Sequence, residues 1–101
     1  MYKKIMVAVD GSEAASKALS EAENIAKTYD AALCIVHSIG GDSDAEKKAG
    51  TEILEQAKSS VSALSVETRL LNAEVEFGLN GVTEAIASAA TDWAADLLVV
   101  R

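Results

Sequence analysis

Aromatic side chains are scarce in this chain. They make up 4% of its 101 residues, whereas apolar residues of all kinds make up 50%. The predicted core is therefore aliphatic and rich in alanine. The single cysteine, Cys34, has no second thiol for an internal disulfide, and its apolar surroundings in the sequence indicate an inert core thiol. Length and composition indicate one globular domain, residues 1–101.

Positive charge is scarce as well. The chain has 9 Lys and Arg residues against 16 Asp and Glu residues, so its formal net charge is −7. Nucleic acids and anionic membranes recruit proteins through clustered Lys and Arg, so neither is an expected partner. No apolar run is long enough to cross a bilayer, and the run that follows Lys3 and Lys4 is too short for a signal peptide. We expect a soluble, cytoplasmic protein.

Groups for metal binding or covalent catalysis are also few. His37 is the only histidine, so a zinc site or a Ser-His-Asp triad lacks its partners, and a structural role at a strand end is favoured. Gly78–Gly81 has neither the spacing of a dinucleotide-binding loop nor a G-K-[ST] ending, which favours a plain loop and helix start. We therefore predict no catalytic residue and no metal ligand, and a non-enzymatic function is favoured over an enzymatic one.

The strongest positive signal is the apolar run Ile5–Val9. It predicts a strand buried on both faces, and the Asp-Gly-Ser sequence after it predicts a sharp turn. Ser12 is a good N-cap for an amphipathic helix that reaches about Tyr29. Ligands of open α/β sheets bind at the carboxyl ends of the strands, so any small-molecule site is expected around Asp10. Asp-Gly is also a common turn pair, and a purely structural role for Asp10 stays open.

The rest of the chain alternates between strand and helix patterns. Ser43 and Glu46 fit a capping box for a second helix, which Gly50 is expected to weaken by about 1 kcal/mol. Asn80 is a candidate cap for a third helix. Residues 72–81 leave open an extension of the preceding strand or a short edge strand. The further strands predicted are Leu33–Val36, Val66–Leu71 and Leu97–Val100.

This β-α-β-α-β-α-β order predicts a three-layer α/β/α sandwich around a mostly parallel sheet. The predicted buried faces are Ala15, Ala18, Leu19, Ala22, Ile25, Ala26 and Tyr29 in the first helix, Ala45, Ala49, Ile53, Ala57, Val61 and Leu64 in the second, and Val82, Ile86, Ala89, Ala90 and Trp93 in the third. The last strand is predicted to be buried on both faces with an open outer edge, which is a recognised pairing hazard.

Three segments resemble the universal stress protein family. They are Lys4–Glu13 (KIMVAVDGSE), Leu33–His37 (LCIVH) and Ala95–Val100 (ADLLVV), and Glu84–Ile86 also fits. The resemblance extends over essentially the whole chain. It implies an adenine-nucleotide α-hydrolase-like fold with a parallel sheet in the order 3-2-1-4-5, a homodimer, and a role in stress survival. One branch of that family binds ATP, and Mg²⁺ is implied only where ATP is bound.

The resemblance also implies a set of site residues. By position, Ala8, Val9 and Asp10 correspond to contacts with the adenosine end of ATP. Ser38 corresponds to a neighbour of the adenine ring, and Val100 to the residue that closes the site at the end of the fourth strand.

The sequence departs from the ATP-binding branch after the fourth strand. In the ATP-binding branch, a glycine directly after that strand opens a G-x-x-G-x9-G-[ST] motif that wraps the phosphates. This sequence has Arg101 at that position. Asn80-Gly81 likewise stands near where many members have Gly-x-Pro. We therefore expect a domain incomplete at its C-terminus, lacking the usual final helix and strand. We also expect it to retain the adenosine half of the site while binding ATP weakly or not at all.

Other functions stay open beside a stress protein that binds adenine nucleotide. One is a dimerising stress or signalling module that binds no nucleotide, and another is a nucleotide-hydrolysing enzyme of related fold, which would normally need a phosphate loop. A receiver-like domain with Asp10 as phosphoacceptor is disfavoured, because Ala8 and Val9 stand where an acidic pair belongs.

Overall fold

Seven elements alternate along the chain in the computed structural model, which describes residues 2–40, 43–62, 65–72 and 81–100, with backbone only for 81–83. They are β1 (Lys4–Ala8), α1 (Glu13–Tyr29), β2 (Ala32–Ile39), α2 (Asp44–Ser59), β3 (Val66–Asn72), α3 (Gly81–Trp93) and β4 (Leu97–Val99). In these ranges no helix is both long enough and apolar enough to cross a membrane.

The strands form one parallel sheet in the order β3-β2-β1-β4. One core cluster joins α1 and α2 to one face of the sheet, and a second joins α3 to the other face. This arrangement confirms the predicted α/β/α sandwich, and its strand order is that of the first four strands in the resembled family.

β1 lies at the centre of both clusters. Ile5, Met6 and Val7 are fully buried, and their side chains alternate between the two faces as strand geometry requires. Cys34 lies on the α3 face beside Met6 and is fully buried. Burial, and secondarily the carboxylate of Glu67, raises the pKa of the Cys34 thiol to about 11, so the thiol stays protonated.

Local capping signals define α1 as predicted. The Ser12 hydroxyl accepts the Ala15 backbone N–H at 3.1 Å, and Asp30 ends the helix in a left-handed conformation with φ 53°. The prediction that Tyr29 is buried was wrong, because its side chain is 42% exposed. Tyr29 is the last helical residue and lies beyond the amino end of β1, where it packs edge-to-face on Tyr2 with ring centroids 5.2 Å apart.

The buried face of α2 differs from the predicted stripe. The Ser43 cap forms, since its hydroxyl accepts the Glu46 N–H at 3.2 Å, but Ala45 and Ala49 are exposed. The residues that face the sheet are Gly50 and Leu54, flanked by the partly buried Ile53, Ala57 and Val61. Leu64 lies outside the described residues.

Gly50 explains why the sequence pattern was misleading here. A Cβ at this position would lie 2.7 Å from Leu70 Cδ1 and 3.1 Å from Ile39 Cγ2. The helix backbone at Gly50 therefore packs directly on side chains of β2 and β3. The predicted contact residues Ala45 and Ala49 are not needed for this packing.

α3 covers the opposite face with buried Ala89 and Trp93 and with the partly buried Ile86 and Ala90. The predicted roles of Asn80 and Val82, and the suggested strand extension over residues 73–80, lie outside the described residues or side chains.

β4 is shorter and less buried than predicted. It ends at Val99, its three residues are all half-buried, and Val100 is 53% exposed. The reason is its place in the sheet, because β4 pairs with β1 on one side and is an edge strand among the described elements. Side chains on an edge strand have covering neighbours on one side only.

Candidate functional site

The sheet opens at the carboxyl end of β1. β1 and β2 remain paired through Ala8 and Val36, and the Val9 N–H still donates to the Val36 carbonyl at 2.9 Å. β2 then continues alone against β3 as far as Ile39. In an α/β sheet the crevice for a ligand lies outside the carboxyl ends of the strands where the strand order reverses, which in this sheet is between β1 and β4.

A cavity of about 150 Å³ occupies this opening, and it is lined by Ala8, Val9, Asp10, His37, Ser38, Ile86 and Val100. The five site residues suggested by the family resemblance are all among them, although they come from three separate parts of the chain. That these residues contact a ligand stays a prediction. His37 and Ile86 were not among the predicted site residues.

Asp10 is held in a tight turn at the mouth of the cavity. The Ser12 N–H donates to Asp10 Oδ1 at 2.9 Å, and Gly11 between them has φ +83°, a conformation that glycine adopts without strain. Hydrogen bonds from the Ser12 side chain and backbone lower the pKa of the Asp10 carboxyl, with a smaller contribution from His37. Asp10 therefore presents an ionised hydrogen-bond acceptor at neutral pH, and its turn role and a ligand role are compatible.

Ser38 carries a feature that the fold of the described residues does not explain. Its hydroxyl oxygen is buried and, within the described part of the chain, is the one buried side-chain polar atom without a hydrogen-bond partner. A buried hydroxyl without a partner costs about 1–3 kcal/mol. Ser38 lines the cavity, so a ligand there with a donor or acceptor in reach would remove this cost.

His37 has the structural role expected at the strand end, and it also borders the cavity. Its Nδ1 lies 2.7 Å from the Val9 carbonyl oxygen. A carbonyl oxygen only accepts, so the imidazole carries a proton on Nδ1 and donates it. The sequence signal that could have included His37 is its position directly before Ser38 at the end of an apolar strand.

Among the described residues, two other cavities are larger than this one. One of about 380 Å³ is at the amino ends of the strands, around Lys3 and Asp30, and one of about 230 Å³ separates α1 from α2. None of the described residues that line these two cavities has a buried polar side-chain atom without a hydrogen-bond partner. The described residues also include no group of three His, Cys, Asp or Glu side chains placed to bind a metal ion. We therefore take the smaller cavity at Asp10 and Ser38 as the candidate site.

A parallel α/β sheet with helices on both faces and a cavity at the carboxyl ends of its central strands defines the class, a doubly wound α/β domain. The sequence profile of the universal stress protein family matches residues 1–101, and the chain belongs to that family. No curated protein sequence matched the chain.

Solved structures agree with this assignment. A universal stress protein family member from Burkholderia pseudomallei is 30% identical with a TM-score of 0.78, over 98% of this chain and 80% of that one. A protein from Mycobacterium tuberculosis H37Rv is 31% identical with a TM-score of 0.75, over 98% of this chain and 70% of that one. A universal stress protein solved in complex with cAMP is 25% identical with a TM-score of 0.80, over 98% and 75% of the two chains.

Proposed function

We propose that this universal stress protein acts by binding the nucleoside part of an adenine nucleotide in the cavity between Asp10 and Ser38. The observation that carries the proposal is the buried, unpartnered Ser38 hydroxyl on the wall of a cavity whose mouth holds an ionised carboxylate. The exocyclic amine of adenine donates hydrogen bonds, and its ring nitrogens accept them, so adenine suits one acceptor and one hydroxyl. The complex of a related protein with cAMP supports the same ligand class.

The apolar wall of the cavity suits a purine ring. Ala8, Val9, Ile86 and Val100 supply aliphatic surface, while the polar groups are few. This composition, with a mostly apolar lining and a small number of placed polar atoms, is typical of small-molecule sites.

The size and charge of the cavity limit how much of a nucleotide it holds. Its 150 Å³ is less than the range of about 300–1,000 Å³ common for drug-sized ligands, so it suits a nucleobase better than a whole ATP molecule. The described residues that line it include no Lys or Arg. We therefore propose that the base and ribose provide the affinity, that the phosphates add little, and that Mg²⁺ has an effect only through bound ATP.

Titration calorimetry with adenosine, cAMP and ATP, the last with and without Mg²⁺, tests this proposal. We expect all three ligands to bind with affinities within about tenfold of one another. Purine riboside, which lacks the exocyclic amine of adenosine, should bind more weakly, because it offers no N–H donor to the Asp10 carboxylate. Absence of adenosine binding to the unaltered protein would refute the proposal.

Matched variants locate the binding. Ser38→Ala and Asp10→Asn should each weaken adenosine binding by about fivefold to a hundredfold, the range for loss of a neutral or charged hydrogen bond. Ser20→Ala, on the exposed face of α1, is the control and should bind as the unaltered protein does. Equal affinity in all four proteins would place the ligand elsewhere.

A second candidate function is a dimerising module that acts without a nucleotide. The half-buried apolar residues of β4 favour it, because an edge strand of this composition can pair with another chain. Sedimentation velocity across a range of concentrations tests it, and a monomer at every concentration contradicts it. The cytoplasmic location and the homodimer expected from the sequence stay predictions.

A further inference from the structure

The carbonyl group of Val9 is paired in an unusual way for the end of a parallel strand. Successive carbonyl groups of such a strand normally accept from backbone N–H groups of the neighbouring strand. The Val9 N–H follows this rule by donating to Val36, but the Val9 carbonyl oxygen accepts from the imidazole Nδ1 of His37 at 2.7 Å. A side chain of β2 therefore holds β1 at the residue where β1 leaves the sheet.

The other side of the His37 ring is bordered by helix α2. A Cβ at Gly50 would lie 3.2 Å from His37 Cδ2, closer than such atoms usually approach. Along β2, His37 lies two residues after Ile35 and four after Leu33, so all three side chains are on the same face of the sheet. Leu33 and Ile35 belong to the core cluster on the α2 face. The glycine thus lets the helix backbone border the ring, and a substitution there has to move the ring or the helix.

We propose that His37 is a positioning residue for the ligand cavity and that Gly50 fixes the orientation of its ring. The series of contacts runs from Gly50 through His37 to the Val9 carbonyl, whose carbon is bonded to the backbone nitrogen of Asp10. It sets where the Asp10 turn lies relative to Ser38, which is on the neighbouring strand. The effect on ligand affinity rests on the proposed function, whereas the effect on the backbone of residues 9–12 does not.

The tautomer of His37 gives a direct test in the unaltered, ligand-free protein. The geometry requires a proton on Nδ1 and, in the neutral ring, a lone pair on Nε2. Nitrogen-15 NMR of the imidazole distinguishes the two neutral tautomers. A neutral ring with its proton on Nε2 overturns the proposal, whether or not any nucleotide binds.

A matched pair of variants separates the hydrogen bond from the volume of the side chain. His37→Asn keeps an N–H donor bonded to Cγ, as Nδ1 is, and His37→Leu has the shape of asparagine without the donor. We expect the leucine variant to shift the amide resonances of Asp10, Gly11 and Ser12 and to weaken adenosine binding about fivefold to tenfold. The asparagine variant should lie much closer to the unaltered protein in both respects.

Gly50→Ala and Gly40→Ala form a second pair. An added Cβ at Gly40 meets no atom within 4 Å, so that variant is the control. We expect Gly50→Ala, and not Gly40→Ala, to shift the His37 ring resonances together with the amide resonances of Asp10 and Gly11.

The outcomes separate the two proposals. If adenosine does not bind the unaltered protein, the proposed function fails, and the NMR measurements still decide the role of His37. If the asparagine and leucine variants lose the same affinity while the resonances of residues 10–12 stay unchanged, His37 is not a positioning residue. Unchanged His37 resonances in Gly50→Ala would remove Gly50 from the series of contacts.

Discussion

The Asp96 carboxylate accepts the backbone N–H of Lys4 at 2.9 Å and so joins the start of β1 to the turn before β4. The same oxygen, Oδ2, accepts the Lys3 N–H at 2.8 Å, and the Asp96 N–H donates back to the Lys4 carbonyl at 2.8 Å. Residues 92 or more positions apart in the chain therefore meet at the amino edge of the sheet.

Asp96→Asn should destabilise the protein. The loss of stability relative to the unaltered chain should be larger at neutral pH than at acid pH. The backbone N–H groups of Lys3 and Lys4 lower the pKa of the Asp96 carboxyl below its usual 3.8. A lowered folded-state pKa contributes stability above the unfolded-state pKa, and that contribution is lost as the pH falls through the folded-state value. The difference in melting temperature should therefore be largest near pH 7 and shrink below about pH 4. Asp92→Asn, on an exposed face of α3, is the control, and a difference that does not change with pH contradicts the argument.

Lys4→Met should lower the free energy of unfolding by about 1 kcal/mol. The Lys4 ammonium lies 5.3 Å from the centre of the Trp93 ring and donates to the Trp93 carbonyl at 3.1 Å, and methionine keeps most of the length of the side chain without the charge. Urea unfolding followed by fluorescence of Trp93, the only tryptophan, measures the change. Lys17→Met, on the exposed face of α1, should differ from the unaltered protein by no more than about 0.5 kcal/mol.

Cys34 should resist alkylation in the folded protein. Burial raises the pKa of its thiol to about 11, so both the thiolate fraction and the access of a reagent are small at pH 8. Intact mass after treatment with iodoacetamide should show an unmodified folded protein and a singly modified protein in denaturant. Rapid modification of the folded chain would mean that the α3 face opens readily.

Gly50→Ala should lower the free energy of unfolding by about 1 kcal/mol, although alanine is the better helix former. The helix gains about 1 kcal/mol, while inserting a methyl group into a packed contact costs about 1–3 kcal/mol. Leu70 is 36% exposed and can rotate away, but Ile39 is buried and His37 is held by its hydrogen bond to the Val9 carbonyl, so these two side chains yield less readily. Gly40→Ala is the matched control for urea unfolding, and a stabilised Gly50→Ala protein would show that β2 yields at small cost.

The sequence predicted best what local chemistry determines. The apolar run Ile5–Val9 required a buried strand whatever its neighbours are, and Ser12 and Ser43 cap their helices through contacts within four residues. The exposure of Tyr29 and the half-buried state of β4 depend on where the sheet ends, which no local pattern encodes. The buried face of α2 depends on direct packing of Gly50 against the sheet. From the local sequence, a glycine inside a helix indicates only a weakened helix, so this contact was not predicted.

The candidate site was predictable to a smaller extent. Asp10 follows from its place after the central strand, but Ser38 and Val100 were suggested by family resemblance and not by any pattern around them. The positioning role proposed for His37 arises because β1 and β2 part at Val9, which is a property of the assembled sheet.

Val99→Lys should destabilise the protein, whereas Val100→Lys should not. Val99 pairs with Val7, and its side chain packs on the core cluster of the α1 face, so lysine loses about half of the 1.5–3 kcal/mol that full burial of a valine provides. Val100 lies one residue beyond the strand and is 53% exposed, so the same substitution should change the free energy of unfolding by no more than about 0.5 kcal/mol. Val100 also lines the cavity, so Val100→Lys should change the affinity for adenosine and leave the stability nearly unchanged. Equal stability of the two variants in urea would show that the register of β4 against β1 is wrong, because that register is what separates the two positions.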